Sequence, residues 1–118
     1  MKNAPLHYTE TPDRWVIVKI TKDDDDDDDV VYKVFGTWGG GYLQGQSWKM
    51  NSGIKSVVEK DGYLYFTGAS GSVYRCYNES YGYFSYGMSV LSNMIESSKD
   101  LATITVMPEN TDWLTLDY

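Results

Sequence analysis

The chain has one cysteine, Cys76, and one histidine, His7, among its 118 residues. A single thiol excludes an intrachain disulfide and a multi-thiolate zinc site, and it fits a reducing compartment. Arginine is nearly as scarce: Arg14 and Arg75 are the two guanidiniums, and the lysines are scattered. Duplex nucleic acid and anionic membrane surfaces are held by clustered Lys and Arg, so neither is expected as a general partner. Nowhere do about 18 uncharged apolar residues run together. The stretch Met1-Lys2-Asn3-Ala4-Pro5 has no apolar core of the kind a secretion signal needs. A soluble, cytoplasmic protein is expected, folded as a single domain over 1–118, because a chain of this length is too short for two domains with a catalytic cleft between them.

What the chain has in quantity is aromatic and glycine residues, including 11 tyrosines and 11 glycines, and one block of charge. The net charge of −7 is carried by seven consecutive aspartates at 23–29, outside which ten acidic side chains face ten basic ones. Seven like charges cannot pack in a core, so this run is expected as a solvated acidic hairpin loop between strands over 14–21 and 30–38. In the second of these, Val30, Tyr32, Val34 and Gly36 share the face expected to be buried. Residues 1–13, broken by Pro5 and Pro12, are expected as a flexible lead.

Further strands are predicted over 42–50, 54–60, 63–67 and 72–77, with Asp61-Gly62 as a type I′ hairpin turn. Then the period changes. Met88, Leu91 and Ile95 recur at spacings of three and four, which predicts an amphipathic helix over 86–98 with Ser85 as its N-cap. A strand over 101–107 stops at Pro108, and a short terminal strand is expected over 113–118. The expected fold is α+β: an antiparallel sheet of about six to eight strands with one amphipathic helix packed on it.

Two glycine-rich segments combine bare backbone with aromatic faces and polar groups. In Trp38-Gly39-Gly40-Gly41-Tyr42 and the following Trp48-Lys49-Met50-Asn51, glycines would let a ligand reach main-chain N–H groups while Trp38, Tyr42 or Trp48 stacks a planar base. The segment matches neither a Walker loop nor a dinucleotide fingerprint. A glycine-rich turn between core tryptophans is the alternative. Ser70, Ser72 and Arg75 repeat the mixture after Gly68-Ala69, and Arg75 would either clamp a phosphate or pair with a carboxylate such as Glu59. Tyr77, Tyr81, Tyr83, Phe84 and Tyr86 form either an adaptable contact surface or loop packing.

Catalytic candidates are few. His7 lies in the lead, and Cys76 sits mid-strand among aromatics, where a thiol is inert. The aspartate run lacks EF-hand spacing. No catalytic residue, metal or cofactor is expected.

The strings Trp48-Lys49-Met50-Asn51-Ser52-Gly53-Ile54 and Gly68-Ala69-Ser70-Gly71-Ser72-Val73-Tyr74-Arg75-Cys76, with Tyr81-Gly82 after them, resemble small uncharacterised accessory proteins of tailed bacteriophages. The resemblance covers about residues 15–95, and the aspartate run looks like an insertion within it. No activity is assigned to that family. What it implies is context: such proteins bind host factors or sequester immune signals without doing chemistry.

Two functional expectations follow. The first is a non-enzymatic counter-defence protein that binds and sequesters a nucleotide-derived signalling molecule. In it Trp38, Tyr42 and Trp48 stack, Lys49 and Arg75 meet phosphate, Asn51, Ser70 and Ser72 hydrogen-bond the sugar or base, and a homo-oligomer closes the pocket. The second is a protein–protein inhibitor of a host factor, using the acidic loop or the tyrosine-rich surface. An enzymatic reading survives only as a metal-independent nucleotide hydrolase with no nameable base.

Overall fold

The computed structural model describes residues 7–22, 30–39 and 47–118. The elements run β1 (Arg14–Lys22), β2 (Val30–Trp38), β3 (Ser47–Met50), β4 (Ile54–Lys60), β5 (Tyr63–Gly68), β6 (Val73–Tyr77), α1 (Ser85–Ser98) and β7 (Ala102–Val106). The class is α+β with antiparallel strands and one helix, as the sequence predicts. The strands divide, however, into a four-stranded sheet in the order β3-β2-β1-β7 and a three-stranded sheet in the order β4-β5-β6. The break falls after β3, where Asn51-Ser52-Gly53 carries the chain from one layer to the next rather than round a hairpin.

The four-stranded sheet is the middle layer. Along β1 alternate side chains point to opposite faces. Trp15 and Ile17 pack with Val34 against Leu64, Phe66, Tyr74 and Cys76 of the second sheet. Val16 and Val18 pack with Phe35 against Leu91 of α1, joined by Val90 and Met94. Both faces of β2 are therefore closed from Val34 to Thr37, where the sequence leads one to expect a single buried face. Gly87 marks the closest approach of α1 to the sheet: a Cβ there would stand 2.4 Å from Cγ2 of Thr37. A residue that lowers helix propensity by about 1 kcal/mol is thus the one that lets the helix dock.

Three local expectations change. The N-cap of α1 is Phe84, with no side-chain cap bond, and Ser85 is the first helical residue. Residues 113–115 form a turn and 116–118 are irregular, so there is no terminal strand; Trp113 is buried against Trp15 and Tyr81, and the Tyr118 hydroxyl donates to the Trp113 carbonyl at 2.6 Å. Residues 9–13 of the expected flexible lead are hydrogen-bonded to both sheets: Thr9 and Glu10 N–H donate to the Val73 carbonyl, Arg75 N–H donates to that of Glu10, and Asp13 N–H to that of Thr37. The hairpin turn is as predicted, with positive φ at both Asp61 (55°) and Gly62 (84°). The β1–β2 pairing continues to Thr21 and Val30, and the acidic run between them lies outside the described residues.

Tyr81 locks the layers together. Its hydroxyl accepts from Ile17 N–H at 3.1 Å and donates to the Met107 carbonyl at 2.6 Å. Its ring meets the edge of Trp15 at 4.8 Å, and the Trp15 indole N–H donates to the Tyr77 carbonyl at 2.7 Å. Burial pushes the Tyr81 hydroxyl from its ordinary value of 10 up to about 12. Between those two values the unfolded chain loses the proton and the folded one keeps it, so the associated stability is complete below about pH 10 and declines as pH rises toward 12. Tyr81→Phe is expected to cost about 1–3 kcal/mol at neutral pH through its orphaned partners. It should also flatten part of the alkaline limb, as read by urea unfolding at a series of pH values, with Tyr118, Tyr74 and Cys76, all likewise raised by burial, contributing to what remains.

Candidate functional site

The residues singled out in the two glycine-rich segments do not converge on one pocket. Trp48 turns toward the helix side of the four-stranded sheet and stacks on Phe35, with ring centroids 5.5 Å apart and planes 25° apart. It is partly buried, and this stacking packs one face of its ring against the edge of the core. Asn51 is buried and structural. Its Oδ1 accepts from Val34 N–H at 2.9 Å while its own N–H donates to the Val34 carbonyl at 3.0 Å, so the side chain continues the strand pairing where β3 leaves β2. Its Nδ2, buried beside Gly68, has no hydrogen-bond partner among the described residues. Tyr42 lies outside the described residues.

Ser70 and Ser72 come together at an exposed loop. Ser52 Oγ accepts from Ser70 N–H at 2.9 Å and bonds its hydroxyl at 3.1 Å, and the Ser70 and Ser72 hydroxyls lie 3.3 Å apart. Ala69 N–H donates to the Gly53 carbonyl at 2.8 Å. These groups stitch the 68–72 turn to the β3–β4 connection.

Trp38, Lys49 and Arg75 do meet, on the segment that precedes β1. The Trp38 indole donates to the Thr11 carbonyl at 3.0 Å, Lys49 Nζ lies 2.7 Å from Glu10 Oε2, and Arg75 Nε donates to Thr11 Oγ1 at 3.2 Å. Arg75 does not pair with Glu59. The registers explain why: Glu59 is opposite Leu64 on the inward face, whereas Arg75 is opposite Tyr65 on the outward one. Glu59 instead accepts from Asn78 Nδ2 at 3.1 Å. The Arg75 guanidinium lies over two rings, 3.8 Å from the centroid of Tyr8 and 4.7 Å from that of Tyr63.

This places the candidate site on the outer face of the second sheet, which the sequence reading did not single out. Leu64, Phe66, Tyr74 and Cys76 fill the inner face, so Tyr63, Tyr65, Arg75 and Tyr77 point outward. Among the described residues no helix or second sheet packs there. Tyr77 is 42% exposed, and its ring sits 5.3 Å from that of Tyr63. The signal was present as alternation, Tyr-Leu-Tyr-Phe in β5 and Arg-Cys-Tyr in β6.

The expected tyrosine cluster is correspondingly split between locations. Tyr77 joins the outer face, Tyr81 is interior, Tyr83 packs under the helix, the Phe84 ring carries the Arg14 guanidinium at 5.3 Å, and Tyr86 is exposed on α1. Two hollows lined by described residues, one beside Tyr32 and Ser52 and one beside Glu59 and Trp113, hold about 130 and 260 Å³. Both fall below the range of about 300–1,000 Å³ usual for an enclosed small-molecule site. Cys76 is fully buried, and burial pushes its thiol well above the ordinary range. No three of His, Cys, Asp and Glu gather among the described residues as a metal site, and no described helix is long and apolar enough to cross a membrane.

The division of roles is testable. Asn51→Ala orphans the buried Val34 N–H and is expected to cost about 1–3 kcal/mol in denaturant unfolding. Lys49→Ala breaks an ion pair whose lysine is largely exposed and should cost less than about 1 kcal/mol. Comparison of the chain with protein-family models, with curated proteins and with solved structures gives no match.

Proposed function

We propose that the chain is a non-enzymatic binding protein that holds a nucleotide-derived signalling molecule on the outer face of its second sheet. The observation that carries this reading is the Arg75 guanidinium lying over the rings of Tyr8 and Tyr63, with the exposed Tyr77 ring beside Tyr63. A purine or pyrimidine offers the planar π-face that such rings stack, and a phosphate offers the oxygens a guanidinium binds in two-pronged fashion. Trp38, Lys49, Ser70 and Ser72 then act beside the site rather than in it, by fixing the 9–13 segment and the 68–72 turn. Binding without turnover is part of this proposal; the Cys76 thiol faces the core and offers no nucleophile to that face.

Neither of the two hollows noted among the described residues reaches nucleotide size, so on this reading a second copy of the chain closes over the ligand on the open face, and sequestration follows from that enclosure. Together with the resemblance to tailed-phage accessory proteins, this gives the biological reading: counter-defence by removal of a signal from its effector in the host cytoplasm.

The second reading, a protein–protein inhibitor, draws on the same face, since Tyr8, Val58 and Tyr77 are exposed and suit a protein contact. A thermal-shift panel of linear and cyclic nucleotides, with recovery and analysis of the ligand, separates the readings. A ligand at one hundred times its Kd adds roughly 2.7 kcal/mol of stability, and the shift should vanish in Arg75→Ala with the ligand recovered intact. A chemically altered ligand would establish turnover, and no shift with any nucleotide would favour the protein partner.

A further inference from the structure

The outer face of the second sheet is wider than one nucleotide needs. Strand register sets its outward side chains in three rows: Lys60, Tyr63 and Tyr77; Val58, Tyr65 and Arg75; Ser56, Thr67 and Val73. Successive rows are two residues apart, about 6.4–6.8 Å along the strands. Rings therefore stand in two neighbouring rows, Tyr63 with Tyr77 in one and Tyr65 in the next. A third position is supplied by Tyr8, which reaches over Arg75 from the lead. A single base stacks on one ring, so one mononucleotide leaves the other row unused.

The charges on the face are as selective as its rings. Its outward strand positions hold two cations, Lys60 and Arg75, and no carboxylate. Outside the aspartate run the charges of the chain balance, so this face carries a small local excess of positive charge. Each cation shares a row with an outward ring, Lys60 with Tyr63 and Tyr77, Arg75 with Tyr65. The outward positions at 56 and 67 add the hydroxyls of Ser56 and Thr67. Rings carried on a sheet face, flanked by sparse cations, suit unpaired bases whose phosphates pass beside them. A duplex buries its base faces in its own stack and offers these rings nothing, in keeping with the lack of clustered cations noted from the sequence.

From this arrangement we propose that the face binds a short single-stranded oligonucleotide, two to four nucleotides long, with Tyr65 and Tyr77 stacking bases in neighbouring rows, Tyr63 supporting Tyr77 and Arg75 from between them, and Lys60 and Arg75 contacting phosphates. The proposal rests on the nucleotide-binding reading above and names its ligand class.

The test is competition by unlabelled thymidine monophosphate, di-, tetra- and octanucleotide against a fluorescein-labelled octanucleotide, using the full chain at low salt. Affinity should rise at least about 10-fold from monophosphate to tetranucleotide and level off beyond it, as bases occupy the second row. Tyr77→Ala should weaken the tetranucleotide by about 5- to 150-fold, and Tyr77→Phe, which keeps the ring, should leave it within about 2-fold. The logarithm of affinity should fall with that of salt at a slope near −1.4, the value for about two phosphate contacts on a single strand. Tyr77 is partly exposed and outside both cores, so an unchanged melting temperature in Tyr77→Ala separates lost binding from lost folding. Equal affinity for monophosphate and tetranucleotide would overturn the oligonucleotide proposal and leave the nucleotide reading standing. Displacement by a matched duplex as effective as by the single strand would overturn it too. If neither the labelled octanucleotide nor any mononucleotide binds, both readings fall and a protein partner takes the face.

Discussion

Trp15, Val16, Ile17 and Val18 are buried in succession although they alternate sides of a strand, so β1 has to be covered on both faces at once. Each such side chain contributes about 1.5–3 kcal/mol when removed from water, and one layer satisfies only half of them. The rest of the architecture answers this constraint. The second sheet seals the Trp15–Ile17 side, and α1 seals the Val16–Val18 side. Hydrogen bonding is shared out along the strand in the same way: β7 pairs with the second half of one edge, while the first half receives Gly82 N–H at the Trp15 carbonyl and the Tyr81 hydroxyl at Ile17 N–H.

The placement of the candidate site follows from that sealing. Once Leu64, Phe66, Tyr74 and Cys76 are committed to Trp15 and Ile17, the period-2 rule sends Tyr63, Tyr65, Arg75 and Tyr77 outward. The segment leading into β1 must cross from the second sheet to the middle one, and on the way it pairs with β6 through Glu10 and lays Tyr8 over Arg75. The ring–guanidinium arrangement is therefore built on two adjacent strands whose inner faces are fixed in the core, with the lead adding one ring from outside. Such a support holds planar groups in register without a closed cavity.

Much of the secondary structure was legible in the chain. Turn residues at 61–62 and the change of period near Met88 located the hairpin and the helix, and the residue types of 14–21 and 73–77 located strands. The division into two sheets was not, because Asn51-Ser52-Gly53 reads as a turn whether the chain reverses within a sheet or moves to another. The site was legible in residues but not in relations. Arg75 stood out as one of two guanidiniums, yet in Tyr63-Leu64-Tyr65-Phe66 both parities are apolar enough to face a core, and only the packing against Trp15 decides which one does. The same ambiguity made Glu59 look like a partner for Arg75 when the two lie on opposite faces. Of the residues read as ligand contacts from their company of glycines, Asn51 is buried on the backbone of Val34 and Trp48 packs one ring face on Phe35.

The central claim, that recognition takes place on the outer face of the second sheet and not in the glycine-rich segments, is tested most directly by nuclear magnetic resonance. The protein, labelled with ¹⁵N throughout and with ¹³C in its tyrosine rings, would be titrated with thymidine tetranucleotide. The account predicts shift changes concentrated at the rings of Tyr8, Tyr63, Tyr65 and Tyr77 and at the Arg75 side chain, with Trp48 and Asn51 unmoved. Changes centred on Trp48, Asn51 and the 68–72 turn, with the tyrosine rings of the sheet unaffected, would contradict it.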